Sequence, residues 1–293
     1  MLDLTNKKEL IGYLQSHGLY TNHGLGQNFL VNREVLERIV EIAGVSADDF
    51  VLEIGPGVGT LTIELVKRAK QVLSVEIDKK LAELLESNIE LLLSENKELD
   101  SRIKSENDTL KIINQDILQV NLNEILPETS YKLVANIPYY ITSKIMELFL
   151  TTKNKPESIT LLVQKEVGER ICAQKGEMSV LAISIQAYGT PVMAGIVPRE
   201  AFFPAPNVDS MILKIDNIKQ WNYAVTEKEF FRCVKVGFSA KRKTLANNLS
   251  IGYSVSKAKA EEIIAGVGFR ADIRAQALGI EDWVRLAIEI KKI

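Results

Sequence analysis

Cysteine and histidine are both scarce in this chain of 293 residues: Cys172, Cys233, His17 and His23 are all there are. Two cysteines cannot build a disulfide framework or a thiolate metal cluster, and two histidines exclude a His-rich centre. No metal is therefore expected. No apolar run approaches the roughly 18 to 20 residues that a membrane span needs. The first nine residues, MLDLTNKKE, lack the apolar core of a secretory signal. A cytoplasmic protein without membrane contact is the expectation. At 46% apolar and 25% charged residues, the chain is neither disordered nor fibrous and can bury a sizeable core.

The net charge is only −2, but it is unevenly spread. Residues 210–293 hold 15 Lys+Arg against 9 Asp+Glu, a net of +6, and the rest holds 21 against 29, a net of −8. A basic final third on an acidic body suits a polyanionic partner.

Short apolar runs alternate with helix-length segments over the first two-thirds. Strands are predicted at 51–54, 72–77, 111–114, 132–136, 159–163 and 211–215. Strands that are apolar on both faces and separated by helices indicate a parallel sheet covered on both sides, the doubly wound Rossmann-like α/β class. Helical periodicity marks 35–43, 61–69 and 79–93 before the last predicted strand, then 227–238, 256–265 and 280–290 after it. Two domains follow: 1–209, opening with an extension over 1–24, and an all-helical 210–293. The polar segment 94–108 reads as a surface loop or a helix extension.

After the first strand comes Glu53-Ile54-Gly55-Pro56-Gly57-Val58-Gly59. Its glycines permit a tight turn and a close approach of ligand to backbone. The spacing is G-x-G-x-G, whereas a dinucleotide fingerprint would require glycine at position 60, which is Thr60. Glu76, ending the second strand, is placed to accept hydrogen bonds from both ribose hydroxyls of an adenosine. Asp116, after the third, could accept from the adenine amino group. These three strand ends describe an adenosine pocket with no phosphate requirement.

The fourth strand runs into Asn136-Ile137-Pro138-Tyr139. An adenine amino nitrogen is a poor nucleophile because its lone pair is delocalised into the ring. A site that alkylates it must accept its N–H groups, so that electron density stays on nitrogen as it pyramidalises. The Asn136 side-chain carbonyl and a backbone carbonyl beside Pro138 can do so. Tyr139 can stack on the target ring.

Together these segments resemble the S-adenosylmethionine-dependent ribosomal RNA adenine dimethyltransferase family. Further segments carry the resemblance: Leu25-Gly26-Gln27-Asn28-Phe29-Leu30, Gln164-Lys165-Glu166-Val167-Gly168-Glu169-Arg170, 176–181, Phe202-Phe203-Pro204-Ala205-Pro206-Asn207-Val208-Asp209-Ser210, and Lys241-Arg242-Lys243-Thr244-Leu245-Ala246-Asn247-Asn248-Leu249. The F-x-P-x-P-x-V-D-S segment is similar to the small-subunit branch, which dimethylates two adjacent adenosines near the 3′ end of 16S rRNA within the small subunit or its precursor. The resemblance implies a class I methyltransferase sheet and S-adenosylmethionine as cofactor. Asn28 and Leu30 would line its methionine end, with Gly55 and Gly57 beside it. Glu76 would hold the ribose, Asp116 the adenine, and Asn136 the region near the sulfonium. Tyr139 and Phe203 would sandwich the target adenine. Arg232, Lys235, Lys241, Arg242 and Lys243 would contact RNA phosphates. The stretch before Gly26 lacks the lysines often found there, so no RNA contact is expected from it. A cytoplasmic monomer is expected. The alternatives are the 23S rRNA methyltransferases of the antibiotic-resistance branch, a non-enzymatic ribosome-assembly or RNA-binding factor, and a nicotinamide oxidoreductase, the last opposed by Thr60 and by an expected lack of a catalytic His or Tyr-x-x-x-Lys.

Overall fold

A computed structural model describes residues 3–21, 26–95 and 109–292, with the backbone alone described over 90–95. The expectations for 22–25 and for most of 94–108 fall outside the described residues. The chain divides into two compact units, Met1–Gly168 with Val192–Ile218, and Glu169–Pro191 with Lys219–Ile293.

The first unit is built on strands β1 (Phe29–Leu30), β2 (Phe50–Ile54), β3 (Gln71–Glu76), β4 (Leu110–Asn114), β5 (Lys132–Ala135), β6 (Ser158–Gln164), β7 (Thr190–Val197), β8 (Phe202–Phe203) and β9 (Ser210–Asp216). Seven of them form one sheet in the order β4-β3-β2-β5-β6-β9-β7. Strands β4 through β6 are parallel. β9 pairs antiparallel with β6, Gln164 opposite Ser210 and Ile159 opposite Ile215. The sheet is thus mixed rather than wholly parallel. The domain boundary expected at 210 falls inside it: β9 belongs to the first unit, which ends at Ile218. The apolar run of β9 is pinned between two neighbours, and that pairing outweighs the basic character of the sequence that follows.

Helices cover the sheet because their apolar stripes match its apolar face. Leu36, Ile39, Val40 and Ala43 of helix Arg33–Ala43, with Leu61, Leu65 and Val66 of helix Thr60–Val66, pack on Val51, Val72, Val134, Leu162 and Ile212. The Asn32 side chain starts the first of these helices by accepting from Val35 N at 3.0 Å, and Gly44 ends it at φ 62°. The strand order reverses at β2, between β3 and β5. In an open α/β sheet this switch point opens a crevice beyond the carboxyl ends of the strands. Gly55, Glu76, Asp116 and Asn136 all follow such ends.

The second unit is helical: Glu227–Gly237, Leu245–Tyr253, Lys257–Gly266 and Ile280–Ile290, joined by Val180–Gln186. Thr226 opens the first with a capping box to Glu229, and Thr244 and Ser256 cap the next two. Trp283, fully buried, approaches Gly237 so closely that a Cβ there would lie 2.3 Å from the indole. The Asn248 amide donates to the carbonyls of Gly237 at 2.5 Å and Ala240 at 3.2 Å, tying that junction together.

Candidate functional site

The loop after β2 takes φ values of 67°, 59° and 91° at Gly55, Gly57 and Gly59. That left-handed run is open to glycine and strained for other residues. The turn closes with Gly59 N donating to Pro56 O at 3.0 Å. A Cβ on Gly57 would lie 3.1 Å from Phe29, so β1 packs directly on the loop. Gly57 N also donates to Glu76 Oε2 at 3.0 Å, which ties the loop to the tip of β3.

Glu76 is 5% exposed, and its Oε1 accepts from Asp78 N at 3.0 Å. Burial raises its pKa, and the Asp78 and Gly57 amides oppose that rise. Each carboxylate oxygen retains a lone pair for a hydroxyl. Asp116 folds into an Asx turn, accepting from Leu118 N at 3.0 Å and from the Gln119 amide at 3.2 Å. Glu53, in β2 two residues before Gly55, is fully buried. Its Oε2 accepts hydroxyls from Thr62 and Ser74, each at 2.7 Å, while Oε1 is buried without a partner. Burial pushes its pKa up to about 7, against those hydroxyl bonds and with help from nearby Glu76.

Asn136 Nδ2 donates to Asn28 O at 3.1 Å, and Asn28 Nδ2 donates to Gly26 O at 3.1 Å. This arrangement turns the amide end of Asn136 to Asn28 O and leaves its carbonyl oxygen with no donor among the described residues. Tyr139 opens a 3-10 turn, Tyr139–Ile141, and its hydroxyl pairs with Ser210 Oγ at 2.6 Å. The ring is thus fixed by its far end, and burial raises the phenol pKa.

These groups converge on one cavity of about 280 Å³. Asn28, Leu30, Gly55, Gly57, Glu76, Asp116, Asn136 and Tyr139 all line it, as expected from the sequence. Phe203 does not. It pairs with Phe29 across β1 and β8, packs in the cluster of Leu10, Leu14, Phe29 and Val58, and carries Lys7 Nζ 5.5 Å from its ring centroid. The cavity also takes in Ile77, Ile117, Tyr140 and Lys144, which the motifs did not single out. Ile77 is 54% exposed beside Glu76, an apolar surface next to a buried carboxylate. A carboxylate at a strand tip followed by an apolar residue was the available signal. Tyr140 and Lys144 stand at the Tyr-x-x-x-Lys spacing of hydride-transferring enzymes and both line the cavity, so the expected lack of that pair does not hold, and Thr60 in the G-x-G-x-G loop is what argues against a dinucleotide.

In the helical unit, Arg232 lies over the Tyr253 ring at 5.1 Å. Lys235 is exposed in the last turn of its helix, and Lys241, Arg242 and Lys243 are exposed in the following turn. None of these last four forms an ion pair among the described residues. They are free to meet phosphates.

A family model described as "Ribosomal RNA adenine dimethylase" matches residues 19–292. The chain is 40% identical over 279 residues to the ribosomal RNA small subunit methyltransferase A of Dehalococcoides mccartyi, covering 94% of this chain and 90% of that one. It is 36% identical to the Clostridium botulinum protein of the same name, with 96% and 97% covered. The 23S rRNA methyltransferase ErmE superposes with a TM-score of 0.66 at 26% identity over 90% of this chain and all of that one. A dimethyladenosine transferase from Plasmodium falciparum shares the fold at a TM-score of 0.72 and 24% identity, with 90% and 98% covered. A hydride-transferring enzyme is thereby excluded, and the chain, a methyltransferase acting on ribosomal RNA, belongs to the ribosomal RNA adenine dimethylase family.

Proposed function

We propose that this protein transfers methyl groups from S-adenosylmethionine to N6 of two adjacent adenosines in the 3′-terminal hairpin of 16S rRNA, leaving each dimethylated. The cavity is the observation that supports this reading: a ribose-binding carboxylate, apolar flanks and a free side-chain carbonyl meet where β2, β3, β4 and β5 end. When bound, S-adenosylmethionine supplies an electrophilic methyl group on a positively charged sulfur. Glu76 would accept from the ribose hydroxyls, Asp116 from the adenine amino group, and Ile77 and Ile117 would flank the ring. Asn28, Leu30, Gly55 and Gly57 would border the remainder.

Asn136 would present its carbonyl oxygen to the target amine, because its amide nitrogen is turned to Asn28 O. Accepting an N–H there keeps electron density on the nitrogen as it attacks, an effect realised in the transition state. Tyr139 would stack on the base, held by Ser210, whereas Phe203, packed on Phe29 outside the cavity, is left out of the sandwich. No general base of shifted pKa is required, since the proton leaves after nitrogen has become positively charged. A second transfer needs the methylated amine to rotate, which one side-chain acceptor permits. Arg232, Lys235, Lys241, Arg242 and Lys243 would hold RNA phosphates. This reading takes the protein as a cytoplasmic monomer. No helix of the described residues is long and apolar enough to cross a membrane.

Calorimetry with S-adenosylmethionine tests the cofactor site. Glu76→Ala should lose about 1.5–3 kcal/mol of binding in a protein that still folds. NAD should not bind. Unchanged affinity in folded Glu76→Ala would refute the assignment.

A further inference from the structure

The family match begins at residue 19, yet the residues before it pack on the cofactor loop. Helix Lys7–Ser16 is capped by Asn6, whose side chain accepts from Lys8 N at 3.0 Å and Glu9 N at 3.4 Å. Its Leu10 and Leu14, with Leu4, are buried against Phe29, Val58, Leu81 and Leu84. Val58 is the residue between the second and third loop glycines. Phe29 is the ring against Gly57, and Leu81 and Leu84 lie on the helix that follows the Glu76 strand tip.

A polar path runs alongside the apolar one. The Tyr13 hydroxyl donates to Asn88 Oδ1, and Asn88, 2% exposed, donates through Nδ2 to Val58 O at 2.9 Å. The middle carbonyl of the loop is therefore held from behind by a buried amide, and the N-terminal helix sets the orientation of that amide. Asn88 alone could rotate. With Tyr13 donating to its oxygen, its N–H group must face Val58.

We infer that helix Lys7–Ser16 is a brace for the cofactor loop, and that Tyr13 is a positioning residue acting through Asn88 on Val58. The brace keeps the left-handed glycine run in its ligand-accepting shape before the ligand arrives. Its loss taxes binding rather than methyl transfer, because neither Tyr13 nor Asn88 reaches the reacting atoms. The inference rests on the cofactor site proposed above.

The test is S-adenosylmethionine affinity by calorimetry, together with single-turnover methyl transfer at saturating cofactor and RNA, on the full chain. Tyr13→Phe keeps the ring and removes the donor. It should weaken binding roughly three- to tenfold, the span of one hydrogen bond, with the saturated rate within about twofold of wild type. Asn88→Ala should weaken binding at least as much, and adding Tyr13→Phe to it should change nothing further, since both act along one path. Tyr20→Phe, at a 77% exposed ring of the same segment, should match wild type. Unchanged affinity in Tyr13→Phe overturns the brace, even where the melting temperature falls, because the helix then serves stability alone. Additive losses in the double variant overturn the path through Asn88. A wild-type chain that binds no S-adenosylmethionine removes the cofactor reading itself, a result distinct from both.

Discussion

Glu53 is a buried carboxyl group just before the glycine loop that does not line the cavity. At 1% exposure it takes two hydroxyls on one oxygen and leaves the other unpartnered; burial favours the protonated form and outweighs the two hydroxyl bonds, which oppose it. Its folded pKa of about 7 lies above the usual 4.5. The folded protein therefore holds a proton that the unfolded chain releases between those values, and stability falls as pH rises through that window. The contribution is on the order of 3 kcal/mol. Glu53→Gln cannot ionise, so its unfolding free energy should be flatter between pH 4.5 and 7 than that of wild type. Urea melts across that range check it, and parallel slopes for the two proteins would exclude the assignment. The carboxylates, the tetrad at 136–139 and the glycines were legible one by one, since each follows a strand that its apolar run announces. Phe203 was not. Its surroundings are set by Lys7, Leu10 and Leu14, nearly two hundred residues away in sequence, and no local pattern carries that contact.

At the scale of elements, the glycine loop is constrained by three left-handed glycines within five residues. Gly59 sits at φ 91°, and a Cβ there would come within 2.4 Å of Leu85 Cδ1. Leu85 can swing away, but the backbone conformation cannot relax without moving the loop. Gly59→Ala should cost about 1–3 kcal/mol of stability and also weaken S-adenosylmethionine binding. Denaturant melts and calorimetry on one sample measure both, and a melt equal to wild type would show that the loop tolerates a side chain. Strands β2, β3, β5, β6 and β9 lie where β-branched runs predict them, because burial on both faces leaves an uninterrupted apolar signal, while β4, an edge strand with Lys111 and Asn114 exposed, is predicted from the short run of Ile112 and Ile113. β7 escaped notice for the opposite reason: it is an edge strand, Val192, Met193 and Ile196 are exposed, and Pro191 interrupts it. Helix Lys7–Ser16 was equally silent, with only Leu10 and Leu14 buried along ten residues. The reversal of β9 depends on how the chain returns from β7, and the strand's own composition does not encode direction.

Across the whole molecule, the charge asymmetry divides along the two units. The acidic part contains the cavity, and the basic part contains the unpaired Lys235, Lys241, Arg242 and Lys243. Replacing Lys241, Arg242 and Lys243 together by Ala should lower affinity for the ribosomal particle. The slope of log K against log salt should become shallower by about 2–3, near 0.7–0.9 per lost phosphate contact, with methyl transfer at saturating substrate largely kept. Filter binding over a salt series measures this, and an unchanged slope would place the RNA footprint elsewhere. The central claim is tested most directly by incubating the protein with tritiated S-adenosylmethionine and small-subunit particles that lack dimethyladenosine, beside large-subunit particles, and then identifying the labelled nucleoside. The account predicts label in N6,N6-dimethyladenosine of the small-subunit RNA and none in the large subunit. Label confined to large-subunit RNA, or absent from both, would contradict it.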